Sequence, residues 1–304
     1  MPYLKYVLLL IRWPNLVIVF FAQYLFAHCL IAPFQLFFTK EVFYAVAIAC
    51  VLAAASGNII NDYYDRDIDK INKPGKVFIG QYIPPNMALF FYFLFNIAAV
   101  TLAVYADSIQ YSCYVTVFVV GSIALLWLYS CFFKKTFLAG NLVVAFLTTA
   151  PMLLLCMLSI KDRRTTEGLS YLILSYLIPL LFMFFSFWTS LIREIIKDCE
   201  DVEGDRVAKS RTLPICLGIK KAKMVVGVLT LILIVILTLL VVVLMAKGLL
   251  LLSATSITLL AMSFSLYRKI RTAETATDFH RASRRCKLLM LAGILSMLFI
   301  GLGY

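Results

Sequence analysis

Histidine is nearly absent from this chain. His28 and His280 lie far apart, and neither sits in the spacing of a metal site or a catalytic triad, so imidazole catalysis is not expected. Cysteine occurs eight times without a single C-x-x-C. Five lie in apolar runs (Cys29, Cys50, Cys113, Cys131, Cys156) and three outside them (Cys199, Cys216, Cys286), so they read as small buried hydrophobes and not as disulfides or a zinc site. Charge is scarce too, with 14% charged residues against 63% apolar and a mean hydropathy of +0.95, more apolar surface than a soluble core can hide. No separate basic domain exists, so the net charge of +12 does not point to nucleic acid.

What is present is a series of apolar runs, each near the roughly 20 residues that cross a bilayer core. They fall at 7–30, 42–61, 86–106, 111–132, 137–159, 170–192, 223–246, 248–267 and 288–303. The expected fold is therefore all-α, a polytopic membrane protein of nine transmembrane helices forming one domain over 1–304. Cytoplasmic cap loops are expected at 62–85 and 193–222. The first run is too long for a cleavable signal and carries Arg12 and Pro14. With the N-terminus inside, 23 of the 28 Lys and Arg residues fall on inner segments and five on outer ones. That bias predicts a plasma-membrane protein whose N-terminus and site face the cytoplasm.

The acids are more informative than the bases. Of sixteen, four lie at 62–69 and six at 194–205. Asp62, Asp65 and Asp69 repeat 136 residues later as Asp198, Asp201 and Asp205, so both segments read D-x-x-D-x-x-x-D. On a continuing helix, Asn61, Asp65 and Asp69 share one face a turn apart, and Asp62 joins it three residues before Asp65. From the first cluster to the second the chain crosses four spans, the third to the sixth, and an even number of crossings puts both clusters on one side of the membrane. Carboxylates this dense need a counter-ion. Hard oxygens suit Mg²⁺, which keeps several waters and bridges one or two carboxylates to substrate phosphates. Lys73, Lys76, Lys134, Lys135, Arg206, Lys209 and Arg211 are placed to hold phosphate oxygens.

A substrate with a diphosphate head and a lipid-soluble body fits that pattern, as an allylic prenyl diphosphate does. Departure of diphosphate leaves an allylic cation for an acceptor nucleophile to capture, and no protein nucleophile is required. Tyr63, Tyr64, Trp127, Tyr129, Phe187 and Trp188 are candidate aromatic faces for the cation, though aromatics at this depth also serve as interface anchors.

The stretches N-D-Y-Y-D-R-D-I-D-K-I-N-K-P-G-K at 61–76 and K-D-C-E-D-V-E-G-D-R-V-A-K-S-R-T-L-P at 197–214 resemble the two aspartate-rich motifs of the UbiA superfamily of intramembrane prenyltransferases. Y-S-C-F-F-K-K at 129–135 with Gly140-Asn141, and R-W-P-N at 12–15, resemble its middle segment and first helix. The resemblance implies nine helices around a cavity open to membrane lipids, with Mg²⁺ held by Asn61, Asp65 and Asp69 and by Asp198, Asp201 and Asp205. It implies a phosphate-contacting role for Lys134 and, where relatives often carry arginine, for Lys76. It also places Asn15, Tyr64, Tyr129 and Asn141 at the substrate cavity. The loop K-V-F-I-G-Q at 76–81 departs from the relatives' R-P-I-P-S-G-R by one residue and one base. The stretch R-E-I-I-K-D-C-E-D-V-E-G-D is similar to the branch that adds a second prenyl chain, from geranylgeranyl diphosphate, to geranylgeranylglyceryl phosphate. A lipid acceptor and an aromatic acceptor of quinone synthesis both remain open, with Asp198 or Asp62 as candidate bases.

A transporter for a phosphorylated lipid or anion is the competing class. Its ionisable groups belong in midspan, whereas these acids sit at helix ends. Pro151 and Pro179 suit a curved cavity wall as well as a gate. A lipid-binding scaffold is the third, and it would keep lipid binding after Asp65→Ala.

Overall fold

The computed structural model describes residues 2–32, 38–72, 75, 77–160 and 169–301. Among them the only β-contact is an isolated bridge between Ile79 and Ile83. Twelve α-helices follow in order: α1 (Pro2–Leu10), α2 (Trp13–Leu25), α3 (Lys40–Asn72), α4 (Pro85–Gln110), α5 (Tyr114–Cys131), α6 (Ala139–Ile160), α7 (Leu169–Glu200), α8 (Val202–Val207), α9 (Leu213–Leu217), α10 (Ile219–Ala246), α11 (Leu250–Thr272) and α12 (Ala276–Gly301). A π-helical turn (Phe26–Ile31) continues α2, and a 3₁₀ turn (Phe133–Lys135) follows α5. Among the described residues eight segments are long and apolar enough to cross a bilayer. The ninth expected run falls in α12, where residues 288–301 span roughly 21 Å at 1.5 Å per residue, short of a 30 Å core, after a first half bearing Arg281, Arg284, Arg285 and Lys287.

Two expectations change. The first run is not one helix, because Pro14 has no N–H and its ring would clash with the carbonyl four residues earlier. The chain breaks between Leu10 and Trp13, with Arg12 in the left-handed region at φ 56°. The segments expected as cap loops are largely helical: α3 runs to Asn72 and α7 to Glu200, followed by the short α8 and α9. At 33 residues, α3 is roughly 50 Å long, so its last turns carry the first acidic motif beyond the apolar stretch.

The chain divides into two compact units. The first comprises Met1–Tyr24, Gln35–Lys134 and Ala150–Arg164. In it α3 packs on α4 and α5, and small residues let the helices approach: a Cβ at Gly57 would lie 2.8 Å from Leu126 Cδ2. The α4–α5 turn is tied by buried Asp107, which accepts from the Thr116 amide at 2.7 Å, the Val115 amide at 3.1 Å and the Ser112 hydroxyl at 2.8 Å. Those two amides belong to the first turn of α5, whose N–H groups have no partner within the helix, so this distant carboxylate acts as its cap.

The second unit comprises Leu25–Phe34, Lys135–Thr149 and Thr165–Tyr304. Here α7 packs on α10 and α12, and α11 on α10 and α12. Ile192, Ile195, Ile196, Leu233, Leu266 and Leu289 form part of its buried core. The Trp188 indole donates to the Leu229 carbonyl at 2.9 Å and stacks on Phe184 at 5.1 Å. Its partners lie in helix packing, which gives Trp188 a structural job.

Candidate active site

In the first unit the last turns of α3 present Asn61, Asp62, Asp65 and Asp69, as the helical spacing predicts. Asp65 is only 3% exposed, so its charge needs partners close at hand. Asn61 Nδ2 donates to Asp65 Oδ2 at 2.9 Å, and the Lys134 ammonium, from the 3₁₀ turn after α5, forms an ion pair with the same carboxylate. Lys134 also donates to Asn61 Oδ1 at 3.4 Å, so two motif oxygens converge on one positive charge. Burial works against the charged lysine. The attraction of Asp65, with Tyr129 and Asp69 adding to it, more than offsets that and raises the Lys134 pKa above its ordinary value. Asp67 points elsewhere and pairs with Lys70 at 2.7 Å on an exposed face.

Asp62 turns to a partner that the motif alone does not reveal: Arg12 Nη2 donates to Asp62 Oδ1 at 2.6 Å. The break at Arg12 makes this possible. With the Asn15 amide bonded to the Arg12 carbonyl at 2.8 Å, the Ile11 carbonyl is left to accept from Asn58 Nδ2 at 2.9 Å, one turn before the motif. Burial opposes the Arg12 charge, yet Asp62, Asp69 and Asp65 together raise its pKa. The signal for Arg12 was legible: an arginine inside an apolar run, two residues before a proline. Sequence reasoning advanced Asn15 from this segment instead, and Asn15 lies half-buried near the start of α2. Tyr64 is 46% exposed and Tyr129 half-buried, while one face of Tyr63 carries the Arg66 guanidinium at 4.6 Å. Lys73 and Lys76 lie outside the described residues.

In the second unit the second motif spans the end of α7 and the start of α8. Asp198 Oδ2 accepts from Asn141 Nδ2 at 2.7 Å, which brings together two residues singled out separately by sequence. Asp201 holds the N-cap position of α8, and buried Asp205 accepts from the Thr212 hydroxyl at 3.0 Å. The trailing T-L-P is thus part of the site through its threonine, a role that spacing alone did not assign. The Arg211 amide donates to the Lys135 carbonyl at 2.8 Å, tying the segment after the motif to the turn before α6. Lys135, Arg206, Lys209 and Arg211 are all exposed around it. Glu194, one turn before Asp198, is 7% exposed and held by Lys197 at 2.8 Å and Arg193 at 3.4 Å, and sequence reasoning passed over it. Each motif is a row of acids in which individual carboxylates already hold neutral or cationic donors.

Comparison with known proteins places this arrangement. Residues 13–297 match the UbiA prenyltransferase family, and the chain belongs to it. It is an intramembrane prenyltransferase. The chain is 30% identical over 261 residues to a digeranylgeranylglyceryl phosphate synthase of Hyperthermus butylicus, covering 83% of this chain and 82% of that one. It is 34% identical over 184 residues to the protein of that name in Methanosphaera stadtmanae, covering 60% and 61%. A solved structure of a digeranylgeranylglyceryl phosphate synthase superposes with a TM-score of 0.65 over all of both chains at 22% identity. A UbiA homologue from Archaeoglobus fulgidus bound to GPP and Mg²⁺ does so at 0.62 over 96% and 99%, at 13% identity. The last two establish the UbiA-type fold.

That relative holds Mg²⁺, so the donors here bear testing against the ion. Among the described residues no three His, Cys, Asp or Glu side chains gather as a ready-made metal cage. Mg²⁺ does not need one, since it takes one or two carboxylates and completes its shell with water and substrate phosphate. The donors are hard oxygens, and Asn61 Oδ1 with Asp65 Oδ2 already point at a common cation. The residues fit the ion.

Proposed function

We propose that this chain, acting as one domain, is an Mg²⁺-dependent prenyltransferase that moves a geranylgeranyl group from geranylgeranyl diphosphate to geranylgeranylglyceryl phosphate and releases diphosphate. The observation that carries the reading is the cluster of Asn61, Asp65 and Lys134, where metal-type oxygens and a phosphate-type cation meet at the end of a membrane helix. The names of its relatives support the choice of acceptor.

On this reading Asn61, Asp65 and Asp69 hold one metal–diphosphate unit, and Asp198, Asp201 and Asp205 the other. The bound metal supplies positive charge to the departing diphosphate. Lys134, released from part of its bonding to Asp65, turns to a phosphate oxygen, with Lys73, Lys76, Lys135, Lys209 and Arg211 as further contacts. The allylic C–O bond breaks with its electron pair on diphosphate, and the acceptor hydroxyl oxygen forms the new C–O bond and loses its proton. Asp62, paired with Arg12, and Asp198, which accepts from the Asn141 amide, are the two candidate carboxylates for that proton. The bias of basic residues supports a site on the cytoplasmic face of the plasma membrane.

The test is diphosphate release by purified protein with Mg²⁺ and geranylgeranyl diphosphate, offering the glyceryl phosphate lipid or a hydroxylated aromatic acid. Release with the lipid alone, lost in Asp65→Ala and Asp201→Ala, is expected. Release with the aromatic acid alone would keep the reaction and overturn the acceptor. Folded protein that releases nothing with either would count against the enzyme reading and favour the transporter.

A further inference from the structure

The second unit contains a cleft of about 530 Å³, formed by α8, α9 and the start of α10 and lined by Arg206, Lys220, Lys221, Val202, Pro214 and Leu217 among others. No acid lines it. All three cations are exposed, and among the described residues none of them makes an ion pair or a side-chain hydrogen bond. The next lysine on α10 behaves otherwise: Lys223 donates to the Ala273 carbonyl at 2.6 Å. Three like charges around one cleft repel each other, so an anion there removes a standing cost. The first amides of the 28-residue α10, which starts after Gly218 at φ 82°, lie at the same edge and add to the positive potential.

The apolar half of the lining identifies the kind of anion. Val202 and Pro214 are buried, whereas Leu217 and Ile219 stay 40% and 37% exposed at the point where a membrane-spanning helix begins. A soluble phosphate has no use for that wall, but a lipid headgroup carrying its own hydrocarbon does. Neither is the cleft a repeat of the carboxylate site. Successive residues on α8 point about 100° apart. Asp205 turns inward to Thr212, and Arg206, expected from sequence on the donor diphosphate, lines the cleft.

We propose that this cleft binds the phosphate monoester of the acceptor lipid. Arg206 supplies the paired donors that suit two phosphate oxygens, Lys220 and Lys221 supply point charges, and the apolar wall takes the first carbons of the chain. A phosphate monoester carries close to two negative charges at neutral pH, which matches three cations better than a phosphodiester does. The inference rests on the proposed function, because it concerns that reaction's acceptor.

The test is steady-state kinetics in nanodiscs of neutral lipid, varying geranylgeranylglyceryl phosphate with wild type, the double variant Lys220→Gln/Lys221→Gln and the charge-keeping Lys220→Arg/Lys221→Arg. The double Gln variant is expected to raise the acceptor KM about tenfold or more, with kcat and donor KM little changed and the Arg variant near wild type. With the phosphate-free alcohol as acceptor, wild type and the Gln variant should not differ. An unchanged acceptor KM, or an equal loss with the alcohol, would overturn the cleft assignment. Wild type that does not turn over this lipid at all strikes the proposed function instead. Binding of the same lipid, followed by intrinsic tryptophan fluorescence, then judges the cleft by itself. Binding lost in the Gln variant retains a phosphate-monoester site, while equal binding by both proteins, or displacement by any phosphodiester lipid, rejects it.

Discussion

Replacing Lys134 with Met removes the only ammonium described against buried Asp65 and leaves that carboxylate with the Asn61 amide. Removing one partner of a fully buried pair typically costs about 3–5 kcal/mol. Here the Lys134 side chain keeps 31% exposure and Asn61 still donates, so the loss should be about 2 kcal/mol. By the scaling of soluble domains that is a fall of roughly 4–8 °C in Tm. Asp65→Asn removes the charge that needs compensation, so Asp65→Asn/Lys134→Met should lose much less than the sum of the two single changes. The expected coupling is about 1–3 kcal/mol. Differential scanning fluorimetry of detergent-purified protein, free of metal and diphosphate, measures it. Because the Lys134 pKa is raised, the stabilisation is present below the ordinary lysine pKa and is lost only as pH climbs through the higher folded value. The coupling should therefore stay flat from about pH 7 to about pH 9. Additive single losses, or a coupling that collapses within that range, would refute the geometry given to Asn61, Asp65 and Lys134.

Three further outcomes follow from packing and charge. Arg12→Met should cut turnover about tenfold by leaving Asp62 uncompensated, and Arg12→Lys should recover most of it; equal loss in both would mean that the charge is not what matters. Asp107→Ala removes three hydrogen bonds that close the α4–α5 turn and should cost about 2 kcal/mol of thermal stability, with catalytic constants intact in the folded fraction. Gly57→Ala drives a methyl into Leu126 and should destabilise by about 1–2 kcal/mol, with Leu126→Ala giving part of that back, an outcome readable from paired melting curves.

The chemistry was legible in the sequence because charge is so rare in this chain that two matched rows of aspartate stand out, and a helix alone fixes which members of a row share a face. Eight of the nine expected spans were legible from length and apolarity, while the start of the first and the ninth were not. Lost to that reading were features that need a second element to come near. Asn141 meets Asp198 and Thr212 meets Asp205 across turns whose path no periodicity encodes. The Arg12–Asp62 pair depends on a helix break that Pro14 announces without saying where the freed side chain will go. The first acidic segment stays helical with Lys134 paired to Asp65 and Arg12 to Asp62, which relieves the repulsion that would otherwise fray the end of α3.

The most direct test of the central claim is mass spectrometry of the lipid formed when purified protein meets labelled geranylgeranyl diphosphate, geranylgeranylglyceryl phosphate and Mg²⁺. The account predicts one new ether lipid carrying a second labelled geranylgeranyl chain, absent when Mg²⁺ is chelated and absent in Asp65→Ala. Undiminished product from folded Asp65→Ala, or diphosphate consumed with no prenylated lipid at all, would contradict it.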